Sequence, residues 1–129
     1  MSSQHKPTDH STVSPYLIVS GADATISFLS QVFGATKLRR ITHESGKVMH
    51  AEVRIDDTVI MLTDEFPPGW PAVASHVHIY VPDVDATYAK AIEARATSVQ
   101  EPIKRQDENK RAAVKDAGGT TWWIATKVE

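Results

Sequence analysis

The chain contains no cysteine. A disulfide framework, a zinc ribbon, an iron–sulfur cluster and a thiol nucleophile are therefore excluded. The absence is compatible with a reducing compartment, and the cytoplasm is the expected location. An excess of charge of one sign is also missing. Fourteen Lys+Arg stand against 16 Asp+Glu, a formal net charge of -2, so no broad positive field exists to draw nucleic acid. No apolar run approaches the roughly 18 residues of a membrane span. The stretch from Met1 to Ser14 is polar and lacks the apolar segment of a signal peptide. With nothing there to bury, residues 1–12 are expected to form a disordered leader.

What remains is enough for a core. Hydrophobic residues make up 41% of the 129 positions, and a chain of this size buries roughly 65–70% of its unfolded surface. That is one ordinary domain, or two small modules sharing a sheet.

Periodicity predicts the elements. Val13 to Val19 reads as a strand. The segment from Gly21 to Gly34 carries Ile26, Leu29 and Phe33 at helical spacing and ends on a fitting glycine stop. Strands are expected over Leu38–Thr42, Val48–Ile55 and Thr58–Thr63, with turns at His43–Lys47 and Asp56-Asp57. The loop from Asp64 to Ser75 holds three prolines and belongs inside no sheet or helix. A strand over His76–Val81, a helix over Asp83–Ala96 and strands over Val99–Ile103, Arg111–Lys115 and Thr120–Thr126 follow. Between them lie a charge run, Lys104 to Lys110, and a turn at Asp116–Gly119.

The order β-α-β-β-β therefore occurs twice. The repeat is visible in the letters: Val19, Asp23, Ala24 and Thr25 reappear as Val81, Asp85, Ala86 and Thr87. The expected organisation is a first βαβββ module at 13–64, a proline-rich linker at 65–75 and a second module at 76–129. The fold class is α+β, two tandem βαβββ modules in curled mixed sheets around a cleft.

Side chains alternate along a strand, so each strand divides by parity. Met49, Ala51, Val53 and Ile55 form one face of the third strand, and His50, Glu52 and Arg54 the other. Val77, Ile79 and Val81 oppose His76, His78 and Tyr80. Leu17 and Val19 oppose Ser14, Tyr16 and Ile18, and Ile60 and Leu62 oppose Val59, Met61 and Thr63. The apolar faces should pack on the helices. A polar opposite face is what any half-exposed antiparallel sheet shows. Here, however, it gathers Tyr, His, Glu and Met, the composition of a ligand-site wall. Of the adjacent tryptophans, Trp122 belongs to the core and Trp123 to the cavity. Trp70, in the proline-rich loop, is placed equally well in an aromatic box, at a dimer contact or on the surface.

Together the segments SPYLIVSGADATISFLSQVFGA, KVMHAEVRIDDTVIMLTDE, HVHIYVPDVDATYAKAIEARA and RAAVKDAGGTTWWIAT resemble the vicinal oxygen chelate superfamily: glyoxalase I, bleomycin-resistance proteins and extradiol dioxygenases. Within it the chain is similar to the PhnB-like subgroup. The resemblance implies paired βαβββ modules and a homodimer, often with a cleft built from both chains. In metal-dependent members it also implies four ligating positions, which fall here on Ser14, Met61, His76 and Trp123. Only His76 ligates well: serine is rarely a ligand, a thioether is a soft, weak donor and indole cannot ligate.

The first expectation is thus a protein without cofactor that binds or sequesters an aromatic or hydrophobic small molecule, an antibiotic or a metabolite. Its cleft would be lined by Tyr16, His50, Glu52, Met61, His76, His78, Tyr80 and Trp123, with Lys110 or Arg111 as an anion contact. The alternative is a lyase, isomerase or dioxygenase whose divalent metal has moved to His50, Glu52, His76 and His78. Glu52 and His76 would then be the catalytic candidates.

Overall fold

The computed structural model describes residues 5–104 and 109–128. The elements are β1 (Tyr16–Val19), α1 (Ala22–Phe33), β2 (Thr36–Thr42), β3 (Val48–Ile55), β4 (Thr58–Asp64), β5 (Ser75–Tyr80), α2 (Val84–Glu93), β6 (Thr97–Lys104), β7 (Asn109–Lys115) and β8 (Thr120–Lys127). They form two four-stranded mixed sheets, ordered β1-β4-β3-β2 and β5-β8-β7-β6. In each, the first strand pairs in parallel with the last and the other pairings are antiparallel. The expected α+β architecture is present, with sheets that are curled but not closed.

Most boundaries fall near those read from the pattern, and the departures have local causes. β1 starts at Tyr16 rather than Val13 because Pro15 has no N–H to give a ladder; its carbonyl instead accepts from Met61 N at 2.9 Å. α2 stops at Glu93 rather than Ala96, and Arg95 just beyond sits at φ 74, outside the right-handed helical region. β6 runs through to Lys104 with Pro102 inside it, which is tolerated because β6 is an edge strand. Part of the predicted charge run, residues 105–108, lies outside the described residues.

The core joins both modules. Leu17, Val19, Ile26, Leu29, Val53 and Leu62 share one buried cluster with Val84, Val114, Trp122 and Ile124. Phe33, at the end of α1, puts its ring 5.3 Å from that of Trp122. The hairpin between β7 and β8 presses on the first module so closely that a Cβ on Gly118 would lie 2.8 Å from Thr25 Oγ1 and 3.2 Å from Val19 Cβ. Met49 departs from its expected face. Along β2–β3, Ile41 pairs with His50 and Thr42 with Val48. Met49 is therefore the extra residue of a bulge; Val48 takes the buried position and Met49 is exposed.

Three carboxylates fix the turns. Asp64, ending β4, accepts from Gly21 N (3.1 Å), Ala22 N (2.7 Å) and Val48 N (2.7 Å). It caps α1 from outside, since Gly21 has no side chain to do so. α2 is capped by its own Asp83, which accepts from Ala86 N. Asp116 accepts from Gly118 N, Thr120 N and Trp122 Nε1.

Candidate functional site

The registers turn parity into position. Across the first sheet, Tyr16 pairs with Met61, Met61 with Glu52 and Glu52 with Arg39. These four side chains form one row on the face away from α1. Across the second sheet the equivalent row is His78, Trp123, Ala113 and Gln100. The next row outward is Tyr80, Ala125 and Arg111.

The first row is built around a buried carboxylate. Glu52 is 6% exposed. Its Oε2 lies 2.8 Å from His50 Nε2 and its Oε1 lies 2.8 Å from His10 Nε2. An ionised carboxylate only accepts, so both imidazole nitrogens donate. His50 and, after the cost of burial, His10 hold the Glu52 carboxyl below its ordinary range. His50 then has its other nitrogen available as an acceptor, and the Tyr16 hydroxyl donates to Nδ1 at 3.3 Å. His10 differs, because its Nδ1 lies 3.3 Å from the Thr8 carbonyl, also an acceptor. Both nitrogens thus face acceptors, an arrangement that favours the imidazolium. Its pKa is raised, first by the hydrogen bond to Glu52 and next by that to Thr8.

His10 lies inside the stretch expected to be a disordered leader. The described part of that stretch is instead pinned to the first sheet. Ser11 Oγ accepts from Val59 N at 3.2 Å, beside the His10–Glu52 bond. Together with Leu38, Arg39, Glu52 and Met61, the segment encloses a cleft of about 530 Å³.

The second row is aromatic. Trp123 Nε1 donates to His76 Nδ1 at 3.1 Å, and the two rings stack with an interplanar angle of 24°. The His78 and Tyr80 rings meet edge-on at 4.8 Å. Burial pushes the His78 imidazole below its ordinary pKa, and the charge of Arg111 adds to the shift. The open choice between Lys110 and Arg111 resolves by parity. Arg111 shares the row of Tyr80, whereas Lys110 points to the helix side and donates to Asp85 Oδ2 of α2 at 2.7 Å. Lys110 is thus a tether for α2, not a cleft residue.

Trp122 is fully buried, as expected, with its indole N–H on Asp116. Trp70 is exposed, and its backbone exchanges two hydrogen bonds with Phe66. A groove of about 1040 Å³ lies elsewhere. It runs between Phe33, the β3–β4 turn and the ends of β5 and β8, and takes in only Tyr80 of the residues singled out above.

The positions at which metal-dependent relatives hold their ion do not fit a divalent cation. Ser14 Oγ lies 3.1 Å from Ser11 Oγ, Met61 offers a thioether, Trp123 offers indole, and His76 Nδ1 already accepts the indole N–H. The alternative set is split, with His50 and Glu52 on the first sheet and His76 and His78 on the second. Among the described residues no three His, Asp or Glu side chains are grouped to hold a metal ion.

Sequence reasoning missed His10 because a lone histidine in a polar stretch has no periodicity to mark it. Arg39 was missed because β2 alternates poorly. The Asp116 turn was read, but not that its carboxylate is the partner of Trp122.

Two small mixed sheets of βαβββ connectivity, each with one helix-covered face and one face of aromatic and titratable side chains, define a class. Residues 9–124 match the Glyoxalase/Bleomycin resistance protein/Dioxygenase superfamily, and the chain belongs to that family. It is 30% identical over 129 residues to the uncharacterized protein Mb0911c of Mycobacterium bovis, covering 90% of this chain and 83% of that one. TioX from Micromonospora sp. ML1 has the same fold, with a TM-score of 0.76 and 22% identity over 92% of this chain and 99% of that one. TnmS3 from Streptomyces sp. CB03234, an antibiotic binding protein, follows with 0.69 and 22% over the same shares. A PhnB protein from Bacillus cereus shares the fold at 0.72 and 12%, over 90% and 99%. No described helix is long and apolar enough to cross a membrane.

Proposed function

We propose that this protein binds an aromatic or hydrophobic small molecule, an antibiotic or a metabolite, without a metal and without turning it over, in the cytoplasm. One observation carries the reading. Where metal-dependent relatives place ligands, this chain presents Met61 and a Trp123 whose N–H is committed to His76. A flat ligand gains about 0.5–1.5 kcal/mol per ring pair from stacking beyond area burial, and the reading gives that role to Trp123, Tyr80 and Tyr16. The likeness to TnmS3 points the same way.

The reading includes a homodimer. Within one chain the helix-covered sides of the modules meet, through Phe33 and Trp122. The two ligand faces are then best completed by a second copy.

Native mass spectrometry of the untagged protein, purified from its own cells, tests this. A dimer of bare mass or with an organic adduct is expected, and Trp123→Ala should lose the adduct. A bound divalent metal, or turnover abolished by His76→Ala or Glu52→Gln in a folded protein, would sink the reading in favour of an enzyme.

A further inference from the structure

Glu52 Oε1 is a cation-binding point whose occupant belongs to the chain itself. The carboxylate is nearly sealed from water: its side chain is 8% exposed, and those of His10 and His50 are 17% and 23% exposed. His50 Nε2 is spent on the other carboxylate oxygen, Oε2, at 2.8 Å, and its Nδ1 lies 3.3 Å from the Tyr16 hydroxyl. Among the described residues, Oε1 is left to His10, at 2.8 Å. Yet His10 comes from a segment without regular structure, whose side chains among the described residues reach the first sheet through this bond and the Ser11–Val59 bond.

We propose that His10 is a built-in stand-in for a ligand's protonated nitrogen, and that molecules entering the first-sheet cleft carry a cationic N–H group that replaces it on Glu52 Oε1. An apolar ligand that displaced His10 would leave a buried carboxylate oxygen unpaired, which is strongly unfavourable. A cationic nitrogen restores both hydrogen bond and charge. The exchange filters ligands chemically: a flat, neutral molecule can stack on the second sheet, but only a cation opens the first. This rests on the cleft being a ligand site and adds the ligand's charge. The ionic groups that bear on the exchange are Glu52 and His50 on β3, Arg39 on β2, and Asp9, Lys6 and His5 on the segment itself.

Imidazole is the probe, followed by NMR at about pH 6, where it is largely protonated. In the intact protein the tethered His10 outcompetes it. In His10→Ala the vacated point should bind imidazole about tenfold tighter or more, shifting the amide signals of His50, Glu52 and Met61. The gain should vanish in His10→Ala/Glu52→Gln. Equal binding by the intact protein and His10→Ala would overturn the proposal, as would a gain that survives loss of the carboxylate. If the double variant does not fold, the location of the shifts in His10→Ala decides: shifts elsewhere than around Glu52 overturn it. Failure here leaves stacking on Trp123 intact, so the two readings fail separately.

Discussion

The two modules share a register and differ in what they do with it. Tyr16–Met61–Glu52–Arg39 and His78–Trp123–Ala113–Gln100 are equivalent rows across equivalent sheets. One centres on a buried carboxylate, the other on an indole beside an alanine. The consequence shows in the histidines. On the first sheet His10 is pushed toward its charged form by Glu52, and on the second His78 is pushed toward its neutral form by burial and Arg111. A single architecture thus carries one face that favours a charged imidazole and one that favours a neutral imidazole.

The sharpest way to break the comparison is along β8, where neighbours face opposite ways. Trp122→Ala empties a core position and takes the indole partner from Asp116 Oδ2, and should lower unfolding free energy by about 3–5 kcal/mol. Trp123→Ala should lower it by less than about 1 kcal/mol. Chemical denaturation followed by circular dichroism measures both; similar losses would mean that the parity assignment is wrong.

A smaller contrast lies at the helix starts. Asp64→Ala strips three backbone N–H partners, two of them at the start of α1, and should cost about 2 kcal/mol. Asp83→Ala removes one cap bond from α2 and should cost about 1 kcal/mol. Equal losses would show that Asp64 is not the external cap of α1.

The histidines give a pH signature of opposite sign. Glu52 titrates below its ordinary value, so its contribution is complete above the unfolded pKa and is lost as pH falls through the folded one. His10 titrates above its ordinary value, so its contribution is complete below the unfolded pKa and is lost as pH rises through the folded one. Their pairing is therefore at full strength between roughly pH 4.5 and 6.5. His78 runs the other way: its contribution is complete above the unfolded pKa and is lost as pH falls through the folded one. NMR titration should place His10 above and His78 below an unperturbed histidine. Glu52→Gln should return His10 toward the ordinary value, and Arg111→Ala should raise His78. Identical titration of the two would erase the distinction between the sheets.

The smallest effect is expected at Lys110. Its pair with Asp85 is largely in solvent, so Lys110→Ala should change stability by no more than about 0.5 kcal/mol. Ligand affinity should be untouched; a fall in affinity would place Lys110 in the cleft after all.

How much of this was legible depended on whether a residue's role lay in a period. The duplicated order, the buried face of β4 and the burial of Trp122 all follow from alternation and repeat spacing. The same alternation put Tyr16, Met61, Glu52 and Trp123 on one side of their sheets. It failed at Met49, where a bulge adds a residue and shifts the pattern. It was silent for His10, whose place is set by one ionic bond to a strand far along the chain. It could not choose between Lys110 and Arg111 until the register of β7 on β8 was fixed.

The placement of Trp122 and Trp123 on opposite faces of one strand has a spectroscopic consequence. An indole sealed in the core emits at shorter wavelength than one near water. The blue emission of Trp122 therefore reports global unfolding, against the redder emission of Trp123 and of the exposed Trp70. A ligand that covers Trp123 would shift that redder component while leaving the emission of Trp122 unchanged.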